Sequence, residues 1–272
     1  MIQFKKYSKI IELFIKQNIE FRFQLFGFIL TWVISTMSVI VLWIAVYEDG
    51  GQIGEFSFEQ IVMYYFAILL VSFMTEIYFG QKLAFRIKDG LFSSELLKPQ
   101  INMVRLFCEA IGDKIAYLIV PLPIFILFLF ILNSSLLKLN FEGITIQNII
   151  LGLLFCVLGF VINFFLEYFV VAFAFWIDEV WSLNHLKHII LSITGGVIFP
   201  IHAFANLLSN FLNLLPFRFV YFVPVMYMIG MRNIKTHGAF DLMLFLIWLL
   251  ILYIASVIIW TFGLRKYQAY GN

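Results

Sequence analysis

Charge is scarce in this 272-residue chain: 12% of its residues are Asp, Glu, Lys or Arg, against about 25% in an ordinary soluble domain. Hydrophobic residues make up 63%, more apolar surface than one core can hide, so the excess must face lipid. Cysteine is nearly absent. Cys108 and Cys156 are too few for a disulfide framework and fall in separate apolar stretches, where each reads as a small buried hydrophobe. Several chemical signatures are also missing. No G-x-x-x-x-G-K-[ST] run is present to cradle phosphates, and no G-x-S-x-G, H-E-x-x-H or paired-cysteine metal motif occurs. The chain therefore has no evident means of hydrolysing anything and is expected to bind no cofactor or metal of its own. The net charge of +2 is uninformative as a total, and no nucleic acid is expected as a partner. Residues 1–22 are charged, and the first apolar stretch exceeds the roughly 7–15 residues of a signal-peptide core, so it should act as an uncleaved anchor.

What is present is long apolar runs. Crossing the hydrocarbon takes about 20 apolar residues on a helix. Such stretches cover residues 24–47, 59–79, 112–132, 147–176 and 240–263, with a shorter one at 186–199 that cannot cross alone. The region that follows, 200–235, is apolar but interrupted by Pro200, Pro216 and Pro224. That pattern suits two half-helices that enter the membrane and return, buried against protein. Gly195-Gly196, one turn before Pro200, marks where the fifth span stops. The N-terminus divides into two helical faces: Phe4, Tyr7, Ile10, Ile11, Phe14, Ile15, Ile19 and Phe21 on one arc, and the lysines with Glu12 and Glu20 on the other. Leu13 is a misfit. A basic amphipathic helix of this kind lies in the membrane interface. The expected fold is an all-α integral membrane protein of six transmembrane helices, residues 1–272 forming one domain.

Basic residues set the expected orientation. With the N-terminus inside, 14 of the 18 Lys and Arg residues fall on the cytoplasmic side and 4 (Lys138, Arg218, Arg232 and Lys235) outside. Both termini and residues 80–111 are then cytoplasmic, and residues 48–58 and 133–146 are outside. Trp43, Tyr47, Tyr78, Trp176 and Trp181 sit near the expected interfaces.

Polar residues inside spans are costly and therefore informative. Glu167 lies within Asn163-Phe-Phe-Leu-Glu167-Tyr168 of the fourth span. It is expected either protonated or hydrogen-bonded to Asn163 one turn away, as a pathway or interface group or as a packing contact. Glu76 reads as interfacial. His185 and His188 share a helix face but lack a third ligand nearby. Between the second and third spans, Gly90 suits the end of one helix, Ser93 or Ser94 the cap of another, and Pro99 its end. The resulting short helix would leave Phe92, Leu96 and Leu97 free to enter a groove on a partner.

Four stretches, in order, resemble the permease subunits of ABC exporters of the ABC-2 transporter family. They are Ile87-Lys-Asp-Gly90 with Leu96-Leu-Lys-Pro99; Ala174-Phe-Trp176 with Asp178 and Glu179; Thr194-Gly-Gly-Val-Ile-Phe-Pro200 through Phe204, Leu215-Pro-Phe217, Pro224 and Gly230; and Gly263-Leu-Arg-Lys-Tyr267 with Gly271. The resemblance implies a multi-pass protein of the bacterial cytoplasmic membrane, working as a dimer with an identical or related permease chain. A separate ABC ATPase, itself a dimer, would hold ATP and Mg. It implies that residues 1–22 form an interfacial elbow helix. Residues 80–98 would form the coupling region, with Arg86, Asp89, Gly90, Phe92 and Leu96 as its contact residues. Residues 200–235, with Gly196, Pro200, Pro216 and Pro224, would form the outer re-entrant cap. Asn206 stands where many relatives have proline, a mild departure that bears on the length and tilt of the first re-entrant helix and not on the resemblance. The apolar, aromatic composition suits a hydrophobic or amphipathic cargo such as a drug, peptide or lipid-like molecule. An intramembrane enzyme would need paired catalytic groups at depth, and an ion-coupled secondary transporter would show interrupted helices in both halves; only the second half reads as interrupted.

Overall fold

The computed structural model describes residues 2–48, 56–98, 102–119, 122–124, 126–127, 144–177 and 179–267. The expected turns at 48–58 and 133–146 lie mostly outside these, as do Pro99 and Asp178. The described chain is all-α, without strands. Its helices are α1 (Ile2–Glu20), α2 (Arg22–Glu48), α3 (Phe58–Thr75), α4 (Phe79–Lys88), α5 (Phe92–Leu96), α6 (Asn102–Ile119), α7 (Ile146–Val171), α8 (Val180–Thr194), α9 (Asn206–Leu212), α10 (Phe222–Met228) and α11 (Ile234–Lys266). Short 3-10 turns cover Ala172–Phe175, Ile201–Ala203 and Pro216–Phe219.

Four helical stretches are long and apolar enough to cross a membrane, namely α2, α3 with α4, α7 with its 3-10 turn, and α11. A fifth arises if the bent pair Asn206–Leu212 and Pro216–Met228 counts as one. The described residues thus carry four or five candidate spans, against six expected over the whole chain. Two expected spans account for the difference. α6 is studded with Arg105, Glu109, Asp113 and Lys114, and most of the apolar run after it lies outside the described residues. α8 has 15 residues, about 22 Å of helix, short of the ~30 Å hydrocarbon core.

The amphipathic helix of residues 1–22 forms as α1 and breaks at Phe21. It packs on α6: the Phe14 side chain and Ile11 backbone lie where a side chain on Gly112 would otherwise sit. Leu13 faces away, 59% exposed, as its misfit with the apolar arc suggests. α3 opens with a capping box, in which Ser57 and Gln60 exchange side-chain and backbone hydrogen bonds.

The second span departs from expectation. It is not one helix over 59–79 but α3, an extended turn at Glu76, and α4 continuing to Lys88. The first half of the chain is therefore interrupted as well. The turn ends the α3 hydrogen-bond ladder, and side chains from elsewhere take up its carbonyls: Lys114 Nζ donates to Phe73 O at 3.4 Å and Asn163 Nδ2 to Thr75 O at 2.8 Å.

Residues 200–235 form short helices that bend sharply on one another, where two half-helices are expected. α8 stops at Gly195, and Gly196 turns the chain with φ of +88°, a left-handed conformation that glycine adopts at little cost. α9 and the Pro216–Met228 segment are bent by 74°. Pro216 opens a 3-10 turn at a first-turn position, and Pro224 lies in the first turn of α10, where a missing N–H costs nothing. α10 lies directly on α7, close enough that a Cβ on Gly152 would come within 2.7 Å of the Met228 Cβ. Tyrosine hydroxyls of α3 tie the turn down, Tyr64 to Gly196 O at 2.5 Å and Tyr65 to Ile198 O at 2.6 Å.

Five of the basic residues used for orientation are not exposed to solvent. Arg105, Lys114 and Lys187 on the assigned inner side, and Arg218 and Arg232 on the outer, are buried. The bias that remains is still strongly inward. Single cysteines replacing Glu59 and Lys98, both exposed, should label from opposite faces of sealed cells. The two native cysteines are buried and should stay silent. Labelling of both positions from one face would overturn the orientation.

Candidate functional site

Three polar clusters organise the bundle. The first surrounds the break between α3 and α4. Glu167, 21 residues into α7 and so about 32 Å along it, is fully buried and forms an ion pair with Lys187 of α8. Asn184 Nδ2 adds a bond to Glu167 Oε1 at 3.4 Å. This corrects the expected Asn163 contact: Asn163 sits one turn before Glu167, but its amide goes to the freed Thr75 carbonyl. An ammonium within reach outcompetes a neutral amide for a buried carboxylate, because neither charge is solvated otherwise. Gly80 is what lets the pair form, since a Cβ there would overlap the Glu167 carboxylate.

Glu76, expected at the interface, is 4% exposed and accepts a hydrogen bond from Tyr221 of the re-entrant segment. Its Oε2 has no hydrogen-bond partner and lies 3.8 Å from His188 Nδ1. Lys114 Nζ sits over the rings of Tyr117 and Tyr78, at 5.0 and 5.6 Å. Against this cluster opens a cavity of about 360 Å³ whose lining includes Asn18, Tyr78, Asp113, Trp181, His185 and His188. Asn18 of α1 donates to Asp113 of α6 at 2.6 Å across its rim. The mixture of aromatic faces with a few fixed polar groups is what an amphipathic small molecule requires of a binding site. Among the described residues, no group of three or more His, Cys, Asp or Glu is placed to hold a metal ion.

The second cluster fixes the expected coupling region. Gly90 has φ of +73° and ends α4 as foreseen. Asp89 is the exposed residue at that turn. The serines do not cap α5: Ser93 and Ser94 hydroxyls return to the carbonyls of Gly90 and Leu91, and Leu91 stands at the cap. Phe92 is not available to a partner. It is fully buried among Phe175, Trp260 and Tyr267, because the end of α11 packs against α5 and the Tyr267 hydroxyl accepts from Ser93 N at 3.1 Å. Leu96 is exposed as expected, with Leu91 beside it and Leu97, which is 87% exposed. Arg86 does not point to a partner alone. It holds Glu95 at 2.7 Å, and Glu95 also accepts from Arg105 at 2.6 Å. Arg105 in turn reaches Glu109 at 3.3 Å. Burial raises the Glu109 carboxyl above its ordinary pKa, with Arg105 opposing.

The third cluster lies at the re-entrant end. Asp241, fully buried in the second turn of α11, accepts from Arg218, from Arg232 Nε and Nη2 at 2.6 and 2.7 Å, and from the Tyr227 hydroxyl at 2.8 Å. Arg218 also bonds Asn213 Oδ1 at 3.2 Å. One carboxylate thus gathers the 3-10 turn before α10, α10 itself and the approach to α11. Sequence reasoning singled out neither Asp241 nor Lys187, Glu95 or Tyr221. The usable signal is an acid at the start of the last apolar run, 9 residues after Arg232 and 23 after Arg218.

No match was found among curated proteins or among solved structures. The family model described as ABC-2 family transporter protein matches residues 33–271, which takes in the broken second span, the α4–α5 corner, the bent helical pair and, apart from Asn18, the three polar clusters. The chain belongs to the ABC-2 transporter family.

Proposed function

We propose that this chain is the membrane permease of an ATP-driven exporter in a bacterial cytoplasmic membrane, pairing with an identical or related permease. A dimeric ABC ATPase would dock on the α4–α5 corner and supply the energy, holding ATP and Mg²⁺ itself. The cargo is hydrophobic or amphipathic and enters by way of the cavity beside Trp181 and His188. The observation that carries the reading is the α5 corner. Three leucines, Leu91, Leu96 and Leu97, stand exposed on an element braced from behind by buried Phe92 and by Glu95 held between two arginines. An exposed apolar patch on a rigid mount is what a docking surface needs, and it is unexplained on a solvated connector.

The test is coexpression with the candidate ATPase. Replacing Leu96 and Leu97 with Asp should abolish copurification while membrane insertion and melting of the permease stay unchanged, since both side chains lie outside the core. An intact, transport-competent complex of this variant would move the coupling role elsewhere. Phe92→Asp is a poor probe, because it would disrupt the corner itself.

A further inference from the structure

The third cluster is unbalanced. Arg218 and Arg232, 1% and 9% exposed, share the single carboxylate of Asp241. Both Asp241 oxygens are already taken up, and Arg218 Nε is buried without a hydrogen-bond partner. A surplus positive charge so placed is costly unless an anion completes it. Beside Arg232 lies a cavity of about 260 Å³, lined by Gln147, Asn148, Gly230, Arg232, Asn233 and Lys235 among others. Its described lining holds two cations, three carboxamides and no carboxylate. The first turns of α7 and α11 converge on it, and neither contains an acidic residue. Each is capped by its own side chain, Thr145 accepting from Asn148 N and Asn233 from Lys235 N, and the two helix dipoles add to the positive field.

The height of the cavity fits a membrane ligand. α11 has 33 residues, about 50 Å of helix, and so outruns the ~30 Å hydrocarbon core. The apolar run begins only at residue 240, which leaves Lys235 and Arg232 at the level of lipid headgroups. From this geometry we infer that the cavity binds a phosphate oxyanion, presented by an anionic phospholipid or as free phosphate. The phosphate oxygens take hydrogen bonds from Arg232, Lys235 and the carboxamides of Gln147 and Asn148. Binding there completes the charge of the Asp241 cluster and stiffens the junction between the re-entrant segment and α11. This does not depend on what the protein transports or on its ATPase.

The experiment uses the detergent-purified full chain, with dioleoylphosphatidylglycerol, dioleoylphosphatidylcholine or inorganic phosphate added, followed by thermal melting and native mass spectrometry. Phosphatidylglycerol should raise the melting temperature and remain bound, and phosphatidylcholine should do neither. Lys235→Glu and Lys235→Gln, at an exposed position, should each weaken phosphatidylglycerol binding about tenfold, in keeping with loss of a charge-assisted contact. Lys98→Glu, at the opposite end of the bundle, should leave it unchanged. Equal protection by millimolar phosphate identifies the free ion as sufficient, and protection by the lipid alone identifies the headgroup. If neither protects, or if Lys98→Glu weakens binding as much as Lys235→Glu, the site does not exist.

Discussion

Asp241→Asn should yield a chain that still inserts but cannot keep its re-entrant segment folded. Asp241 is the only acidic partner shown for Arg218 and Arg232, and it also accepts from Tyr227. Asparagine keeps the shape but turns one acceptor into a donor, which would then face donors from Arg232 or Tyr227. It also leaves two buried guanidiniums without the carboxylate they share. Breaking one buried pair by removing a partner costs about 3–5 kcal/mol, and here one substitution orphans two. A fall in melting temperature of more than roughly 10 °C is expected on the usual scaling for a chain of this size. A cysteine replacing Met226, which is 2% exposed, reports the local change: it should be inert in the parent and reactive in the Asp241→Asn background. Melting within a few degrees of the parent, with that cysteine still inert, would show that the cluster does not hold the segment.

Glu167→Gln should be nearly as damaging, and the reason lies on another helix. Read with Asn163, the amide looks like a mild replacement, able to keep a hydrogen bond. Read with Lys187, it strands an ammonium that is 5% exposed and has Glu167 as its ion-pair partner. The single variants Glu167→Gln and Lys187→Gln should each cost about 3–5 kcal/mol. The double variant should recover most of the loss, since two neutral amides can hydrogen-bond to each other. Melting of the parent, both single variants and the double variant gives the coupling directly. Additive losses would mean that the two side chains do not depend on each other. If the double variant is stable yet inactive in export, the charges serve transport; if it exports normally, they serve packing.

What was legible in the sequence was local. The two faces of α1, the apolar runs, the glycine turns at 90 and 196 and the prolines of the re-entrant segment each follow from residues a few positions apart. The polar clusters were not legible, because their members meet over long separations: Tyr221 to Glu76 across 145 residues, Asn163 to Thr75 across 88. A lysine normally marks a loop, which places Lys187 at the inner surface in the expected orientation. Its position inside an apolar stretch, next in order after the stretch holding Glu167, was the overlooked sign of a pair. Phe92 is expected to be exposed because nothing within its own loop covers it. Trp260 and Tyr267, which do, lie more than 160 residues later. Glu76 is the instructive case: it sits where a helix meets an interface, yet the structure uses it to stop α3 and hold Tyr221.

That stop changes the mechanical character of the second span. An unbroken helix owes its stiffness to its own ladder, in which each backbone bond is fixed by those above and below it. Between α3 and α4 the ladder lapses, and the carbonyls of Phe73 and Thr75 rest on Lys114 of α6 and Asn163 of α7. With Glu76 held by Tyr221, the rigidity of this rod is lent by three other parts of the fold. A load applied at α4 is therefore divided among α6, α7 and the re-entrant segment before it reaches α3, and these neighbours decide whether the rod bends or transmits.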